Sequence, residues 1–558
     1  MNLAQLRRLP FHAKTAGQLA RTLLSSGIIG PQGGPKAIAA LPAVLARYRF
    51  TTARELEQGA LTCPQRVALI DDDGQLTYQE LRDHARAFAK YLQQHAAASS
   101  LASGASPIRL GVMARNGRAI VTALGAKGYV GATIYLLNIG SSPEQLLGTL
   151  EENQITHLVV DSEFLERLPD NYSRDLDIVI GHVDPADAVP SHLPEELPTL
   201  AEVCARDFSA VKLPVFPSHG PIVLMSSGTT GIPKGIIRPE PAFPAVLSTI
   251  MSNMPWRADQ KVQLTASIFH TWGWACLNIA LGARNTIVTR RVFDPVACLE
   301  DIERHRLDGL LSSPVFYKQM VEADPTGTYD ASSLTFIASS GHALSPQLVQ
   351  DTIARFGPIL ANVYGSTELT LAAVANAKQI AADPTIGGKV ASGTTMKILD
   401  SNGVEVPQGE VGEIFLSNSM TLTGYTKPGM EVERVQGLVS IGDLGYFDAD
   451  GFLHVLGRAD DMIIVGGENV HPQSVTEVLE TMPGVHEVYS GGVDDPDTFK
   501  RIAVWVVRTK DALGQALTED SIRAFVDEKL ASHSIPRDVH FRDRLPRNPT
   551  GKVVPRLL

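Results

Sequence analysis

Paired cysteines are missing from this sequence. Its 558 residues contain four cysteines, Cys63, Cys204, Cys276 and Cys298, none spaced as a pair. That argues against a disulfide framework or a zinc site and predicts free thiols in a reducing cytosol. A basic excess is also missing: 49 Lys and Arg stand against 60 Asp and Glu, a net charge of −11. No overall positive field is available for nucleic acid, although a few local donors can still bind an anionic ligand. The opening stretch MNLAQLRRLPFHAKTAGQLARTLL lacks the apolar core of a secretory signal. It is mildly basic and amphipathic, which predicts surface helices, with peripheral membrane contact as the alternative. A transmembrane segment is not expected either. The stretch AIVTALGAKGYVGATIYLLNIG is long and apolar enough for a span, but it carries Lys127, four glycines and a β-rich TIYLL. A buried helix, a glycine turn and a buried parallel strand fit it better. Internal repeats are absent.

What is present is alternation. Apolar β-branched runs (108–112, 157–160, 177–180, 222–225, 286–289, 334–338 and 359–362) are separated by helical patterns. This predicts an α/β fold with layered, largely parallel sheets in a large domain of several subdomains. The length exceeds what one core of about 100–150 residues accounts for. Residues 96–107, AAASSLASGASP, read as a flexible surface loop. From about Asp383 the chain becomes dense in Gly, Asp and Pro with short strands, predicting a small β-rich subdomain over 383–459. From Asp460 to Leu558 the pattern is strand, helix, strand, strand, helix, strand, a small α+β domain.

The richest local signal is SSGTTGIPKG, Ser226 to Gly235, directly after the apolar run IVLM. Backbone N–H groups of a tight glycine loop converge on phosphate oxygens, and the hydroxyls and Lys234 add donors and charge. The loop is not a Walker A motif, because Gly228 and Gly231 are three apart and Gly235 follows Lys234.

SSGTTGIPKG closely resembles the phosphate loop of the adenylate-forming (AMP-binding) superfamily, which includes acyl-CoA synthetases, luciferases and peptide-synthetase adenylation domains. Further segments follow in that family's order: SIFHTWGWA (267–275), NVYGSTE (362–368), SIGDLGYFDADGFLHVLGRADDMIIVGGENVHP (440–472) and RNPTGKV (547–553). The resemblance implies a large adenylation domain over 1–459 and a mobile C-terminal lid over 460–558 that rotates about Asp460. It implies that Ser226, Ser227, Gly228, Thr229, Thr230, Gly231 and Lys234 hold the ATP phosphates. Gly341, His342, Ala343 and Tyr364 would wall the adenine, in a region with Asn362, Gly365 and Thr367. Family members usually have a small residue where His342 stands, so its role is open. Asp443 and Arg458 would take the ribose and adjoining phosphate. Glu368, with Thr229, would hold Mg2+. Lys552 would bridge the attacking carboxylate and the α-phosphate, and Gly466 and Gly467 would let the pantetheine arm of CoA approach.

The acid is read from the acyl-pocket motif. Amino-acid-activating relatives place an Asp early in it; here it reads Phe269-His270-Thr271-Trp272, so a substrate ammonium would be buried unpaired. His270 is assigned to the reaction and, with Trp272 and Gly273, to the acyl pocket. The apolar GWACLNIALG suits an alkyl chain, although it fits a core helix as well. The expectation is ATP-dependent activation of a medium- or long-chain fatty acid and its transfer to CoA. A fatty acyl-AMP ligase loading a carrier protein and an aryl-acid ligase are the alternatives. A silent nucleotide-binding scaffold is disfavoured by the joint presence of Lys552, Glu368, Asp443 and Arg458. A homodimer is left open.

Overall fold

The computed structural model describes residues 15–30, 33–100, 108–168, 176–187, 189–194, 196–225, 232–240, 245–342, 344–427, 429–432, 434–459, 461–465, 468–495, 499–548 and 551–558. Among these, three sheets organise the chain.

The first has 13 strands. Its centre is parallel and runs Val67–Asp71, Thr286–Val288, Lys261–Leu264, Gly309–Ser312, Phe336–Ser339, Leu360–Tyr364. The strands Gly309–Ser312 and Phe336–Ser339 are mostly apolar and wholly buried, and Lys261–Leu264 is buried except for Lys261, as expected where helices cover both faces. Beyond Leu360–Tyr364 the pairing turns antiparallel through Ala373–Ala375 and Ile386–Val390. The β-rich segment after Asp383 therefore continues this sheet, ending in Leu453–Arg458, Val439–Phe447, Gly412–Ser417 and Thr395–Leu399.

The second sheet has seven strands, with Ile222–Met225, Thr133–Leu136, Arg109–Met113, His157–Val160 and Asp177–Ile180 parallel in that order. The long apolar stretch forms the helix Arg118–Val130, a left-handed Gly131 at φ 73° and the strand Thr133–Leu136, as its sequence predicts. No helix among the described residues is long and apolar enough to cross a membrane. Residues 96–100 of the expected loop 96–107 are instead helical, since the helix Tyr78–Ser100 runs on through the alanines. Alanine has the highest helix propensity, which outweighs the small polar residues here; residues 101–107 lie outside the described part.

Helices in this chain open in a recurrent way. Pro143, Pro295, Pro314, Pro346 and Pro472 each stand in the first turn, where the missing N–H costs nothing and φ is already helical. Ser142, Asp294 and Ser345 cap the preceding position with side-chain oxygens.

The third sheet has five strands, including Val485–Asp495, Phe499–Arg508 and Asp538–Arg542, covered by helices Pro472–Glu480 and Glu519–Lys529. It has its own apolar core of Val475, Leu479, Val504, Ile522 and Val526. Mixed α/β layering with a large N-terminal sheet region and a small C-terminal sheet domain is the fold. All four cysteines are free thiols.

Candidate active site

Parallel strands converge with their carboxyl ends on one side of a sheet, and ligand clefts form there. Here Ser313 follows strand Gly309–Ser312, Gly341 follows Phe336–Ser339, and Gly365 to Glu368 follow Leu360–Tyr364. Together with Thr271, these residues line a cavity of about 830 Å3. The antiparallel extension supplies Asp443 and Arg458, the C-terminal domain supplies Gln473, Glu477 and Lys552, and all of these line the same space.

Asp443 and Arg458 are direct cross-strand partners on Val439–Phe447 and Leu453–Arg458. The register alone puts a carboxylate beside a guanidinium at the cavity wall. The Tyr364 hydroxyl donates to Asp443 Oδ2, which fixes the ring's orientation. Burial, followed by the Asp443 charge, pushes the Tyr364 phenol well above its usual range, so it stays a donor. Gly365 must be glycine: a Cβ there would sit 1.9 Å from the Thr370 carbonyl oxygen. The turn behind it, closed by Thr370 N–H donating to the Ser366 carbonyl at 2.8 Å, carries Glu368.

His270 immediately precedes helix Thr271–Gly282. Burial, then the Lys552 charge, pushes its imidazolium down to about 3, so the ring is neutral at any ordinary pH. Its Nε2 is buried without a hydrogen-bond partner, as is Thr271 Oγ1 one residue on. Trp272 is anchored, its Nε1 donating to the Ser312 carbonyl at 2.9 Å. Gly273 permits the tight approach to the preceding segment, since a Cβ would lie 2.2 Å from the Ser267 carbonyl oxygen.

Lys552 reaches the cavity from a short hairpin. Arg547 and Val553 bridge, Lys552 N–H donates to Asn548 Oδ1 at 2.9 Å, and Arg547 Nη1 donates to the Gly551 carbonyl at 2.7 Å. Gly551 has φ 83°, and a Cβ there would be 2.3 Å from Val315 Cγ1. Glycine thus seats the hairpin against helix Pro314–Ala323. Lys552 is accessible from the open cavity, yet protein crowds its ammonium from several sides. That desolvation holds its pKa below the usual lysine range, offset by the nearby charges of Asp443 and Glu368.

Of the other sequence-derived positions, Asn362, Thr367, Gly341 and His342 line the cavity, with His342 exposed. Lys234 is not among the lining residues; its ammonium lies 4.6 Å from the centre of the Tyr425 ring. Ser226, Ser227, Gly228, Thr229, Thr230, Gly231, Ala343, Asp460, Gly466 and Gly467 lie outside the described residues. Sequence reading missed Gln473 and Glu477 on Pro472–Glu480, Phe316 and Ser313, and the stacked pair Tyr446 and His454, whose rings are 4.7 Å apart. Ser313, Phe316, Gln473 and Glu477 lie outside the quoted motifs and are recruited by tertiary packing; Tyr446 and His454 lie within the segment 440–472, where the resemblance assigns only Asp443 and Arg458 to the nucleotide.

Known proteins resemble this chain in sequence and overall fold. The AMP-binding enzyme family matches residues 56–426 and the AMP-binding enzyme C-terminal domain matches 474–552. A 3-[(3aS,4S,7aS)-7a-methyl-1,5-dioxo-octahydro-1H-inden-4-yl]propanoyl:CoA ligase of Rhodococcus jostii is 28% identical over 91% of this chain and 98% of its own. A sulfoacetate–CoA ligase of Cupriavidus necator is 32% identical over 64% of this chain and 70% of its own. Among solved structures, an amide bond synthetase of Marinactinospora thermotolerans superposes with a TM-score of 0.75 at 25% identity, covering 90% of this chain and 97% of its own. With both family models matched in order, and with a relative above 30% identity, this chain belongs to the AMP-binding enzyme family of the adenylate-forming superfamily.

Proposed function

We propose that this chain is an AMP-forming acid–CoA ligase whose two half-reactions share the cavity that Lys552 closes. The supporting observation is convergence: Lys552, Glu368, Asp443, Arg458 and His270 come from well-separated parts of the chain and face one cavity.

A carboxylate is a poor acyl donor because its leaving group would be oxide. Attack of a carboxylate oxygen on the α-phosphorus of ATP forms a new P–O bond and breaks the bond to the bridging oxygen, releasing pyrophosphate. Two anions must approach each other, so oriented donors and cations have to offset their repulsion. In this reading Asp443 accepts from the ribose hydroxyls, Tyr364 and Gly341 wall the adenine, and Arg458 reaches the ribose and neighbouring phosphate. The loop 226–231 holds the β- and γ-phosphates. Lys552 contacts the attacking carboxylate and the α-phosphate, strengthening as charge develops. His270, kept neutral, borders the reacting carboxyl without adding charge.

Mg2+ fits this donor set. No cluster of three or more ligating side chains exists among the described residues. A single cavity-lining carboxylate, Glu368, suits an ion that takes most of its ligands from phosphates and water. When bound, the ion neutralises phosphate charge.

In the second half-reaction the CoA thiol attacks the acyl carbonyl, the acyl–O bond breaks, and acyl-CoA, AMP and a proton result. Lys552 occupies the cavity in this structure, so the C-terminal domain has to turn to admit the thiol, with Asp460 as the hinge and Gly466-Gly467 beside the pantetheine.

The acid enters between His270, Thr271, Trp272 and Phe316, toward an apolar lining of Met225, Ile236, Ile250 and Ala275. That lining supports a hydrophobic acyl group, either the fatty chain expected from sequence or a ring acid. The second option is favoured by the similarity to the Rhodococcus ligase, whose substrate is a fused-ring propanoate. A panel of acids with ATP, assayed for pyrophosphate with and without CoA, tests the proposal. Acid-dependent pyrophosphate release followed by thioester formation is expected, and absence of release with every acid overturns it. Release without any thioester, but with acyl transfer to a carrier protein, would identify the carrier-loading alternative.

A further inference from the structure

Close to the cavity-lining residues Ile236 and Thr271 stands a buried guanidinium, Arg238, which is not itself a lining residue and has one N–H group without an acceptor in the protein. Ile236 lines the cavity. Arg238 lies two residues further along strand Gly235–Arg238 and so projects to the same face. Its side chain is almost completely enclosed, at 2% exposure. Nη2 donates to the Met420 carbonyl at 3.1 Å, which leaves Nη1 buried with no acceptor. No ion pair holds this guanidinium among the described residues, although the Glu368 charge acts on it. Burial pushes its pKa down to about 10, so the cation persists at neutral pH. Beside it stands Trp274, 6% exposed, with the guanidinium carbon 5.6 Å from its ring centre. Trp274 Nε1 is likewise buried without a partner, and so is Thr271 Oγ1, one turn earlier on the same helix face that presents Ala275 to the cavity.

An unpaired guanidinium and two unpaired donors are costly in an apolar surround, and ligand oxygens relieve that cost. We propose that Arg238 and Trp274, with Thr271 on the way in, form a specificity subsite for an acid bearing a second oxygen acceptor at its far end, an oxo group or a second anionic head, in preference to a plain alkyl tail. The proposal rests on the ligase reading above and refines its substrate class. Such a site discriminates by exclusion as well as attraction. A saturated chain would leave buried donors unpaired, and that penalty is larger than the gain from one more methylene.

The experiment compares length-matched acids in three arms: octanoate, 7-oxooctanoate and octanedioate, with the pentanoate, 4-oxopentanoate and pentanedioate set as a shorter series. Pyrophosphate release gives kcat/KM for each with wild type, Arg238→Met and Arg238→Lys. In at least one series the wild type is expected to favour an oxygen-bearing acid over the alkyl acid by tenfold or more. Preference for the dioate assigns an anionic head, and preference for the oxo acid assigns a neutral one. Arg238→Met should bring the ratio within about twofold while KM for ATP stays unchanged, and Arg238→Lys should fall between. If octanoate and pentanoate are the best acids of the wild type, or if the ratio survives Arg238→Met, the subsite is overturned while the ligase reading stands. If the Met variant does not fold, the wild-type ratios alone decide. Release with no acid at all overturns both readings.

Discussion

Lys552 shows how one side chain gains its chemistry from its surroundings. In sequence it is a lysine in a Gly- and Pro-rich tail; in the structure it is desolvated against Asp443, Arg458 and Glu368. If it stabilises charge developing during adenylation, Lys552→Ala should lower acid-dependent pyrophosphate release by about a hundredfold or more, a loss typical of one removed transition-state donor. KM for ATP should change little. Because desolvation by the protein crowding its ammonium depresses its pKa, the charged form is lost as pH rises through a value below the ordinary lysine range. The alkaline limb of kcat/KM for adenylation should therefore fall earlier than a free lysine would dictate, and Lys552→Arg should remove that limb. His270, with its imidazolium pushed down to about 3, should contribute no inflection between pH 5 and 8, in contrast to an unperturbed histidine.

Two elements carry predictions of their own. The hairpin that bears Lys552 depends on Gly551, whose positive φ and contact with Val315 exclude a side chain. Gly551→Ala should leave thermal unfolding of the large sheet region nearly unchanged but cut adenylation at least tenfold, because Lys552 no longer seats. A melting curve beside the pyrophosphate assay separates the two effects. Helix Thr52–Thr62 buries Glu55, which pairs with Arg54 yet has its Oε2 unpartnered. Burial dominates over the Arg54 charge and raises its pKa to about 7. The protonated form is the one the fold prefers, so Glu55 contributes stability that is complete below its unfolded value near 4.5 and is lost as pH rises through about 7. Wild-type Tm should drop between pH 5 and pH 8 by more than that of Glu55→Gln. The difference corresponds to about 3 kcal/mol at most if the full shift is realised.

At the scale of the whole molecule, the C-terminal domain sits against the large sheet region with Lys552 in the cavity. Contacts between them include Lys318 Nζ donating to the His486 carbonyl at 3.2 Å and the close seat of Gly551 on Val315. The proposed mechanism needs this arrangement for adenylation and a rotated one for thioester formation. Asp460→Pro, which restricts φ at the expected hinge, should spare pyrophosphate release and slow thioester formation by tenfold or more. Single-turnover assays of the two half-reactions check this, and equal losses in both would count against a hinge at that position.

Much of this was legible in the linear chain, for a physical reason. Buried parallel strands need uninterrupted apolar runs, so 157–160, 177–180 and 222–225 mark their strands to the residue. Chemistry that needs close backbone approach forces glycine, so Gly365 and Gly551 stand inside recognisable motifs. Local composition misled at 96–100, where helix propagation overrode a loop-like sequence. Sequence by itself determined the layered α/β class, the family and several motif residues that face the cavity, among them Tyr364, Glu368, Asp443, Arg458 and Lys552. Only the tertiary structure decided that the β-rich segment extends the central sheet, that Gln473 and Glu477 reach the cavity, and that Arg238 lies buried with an unpaired N–H. Burial, desolvation and pairing depend on residues hundreds of positions apart, and no local pattern encodes them.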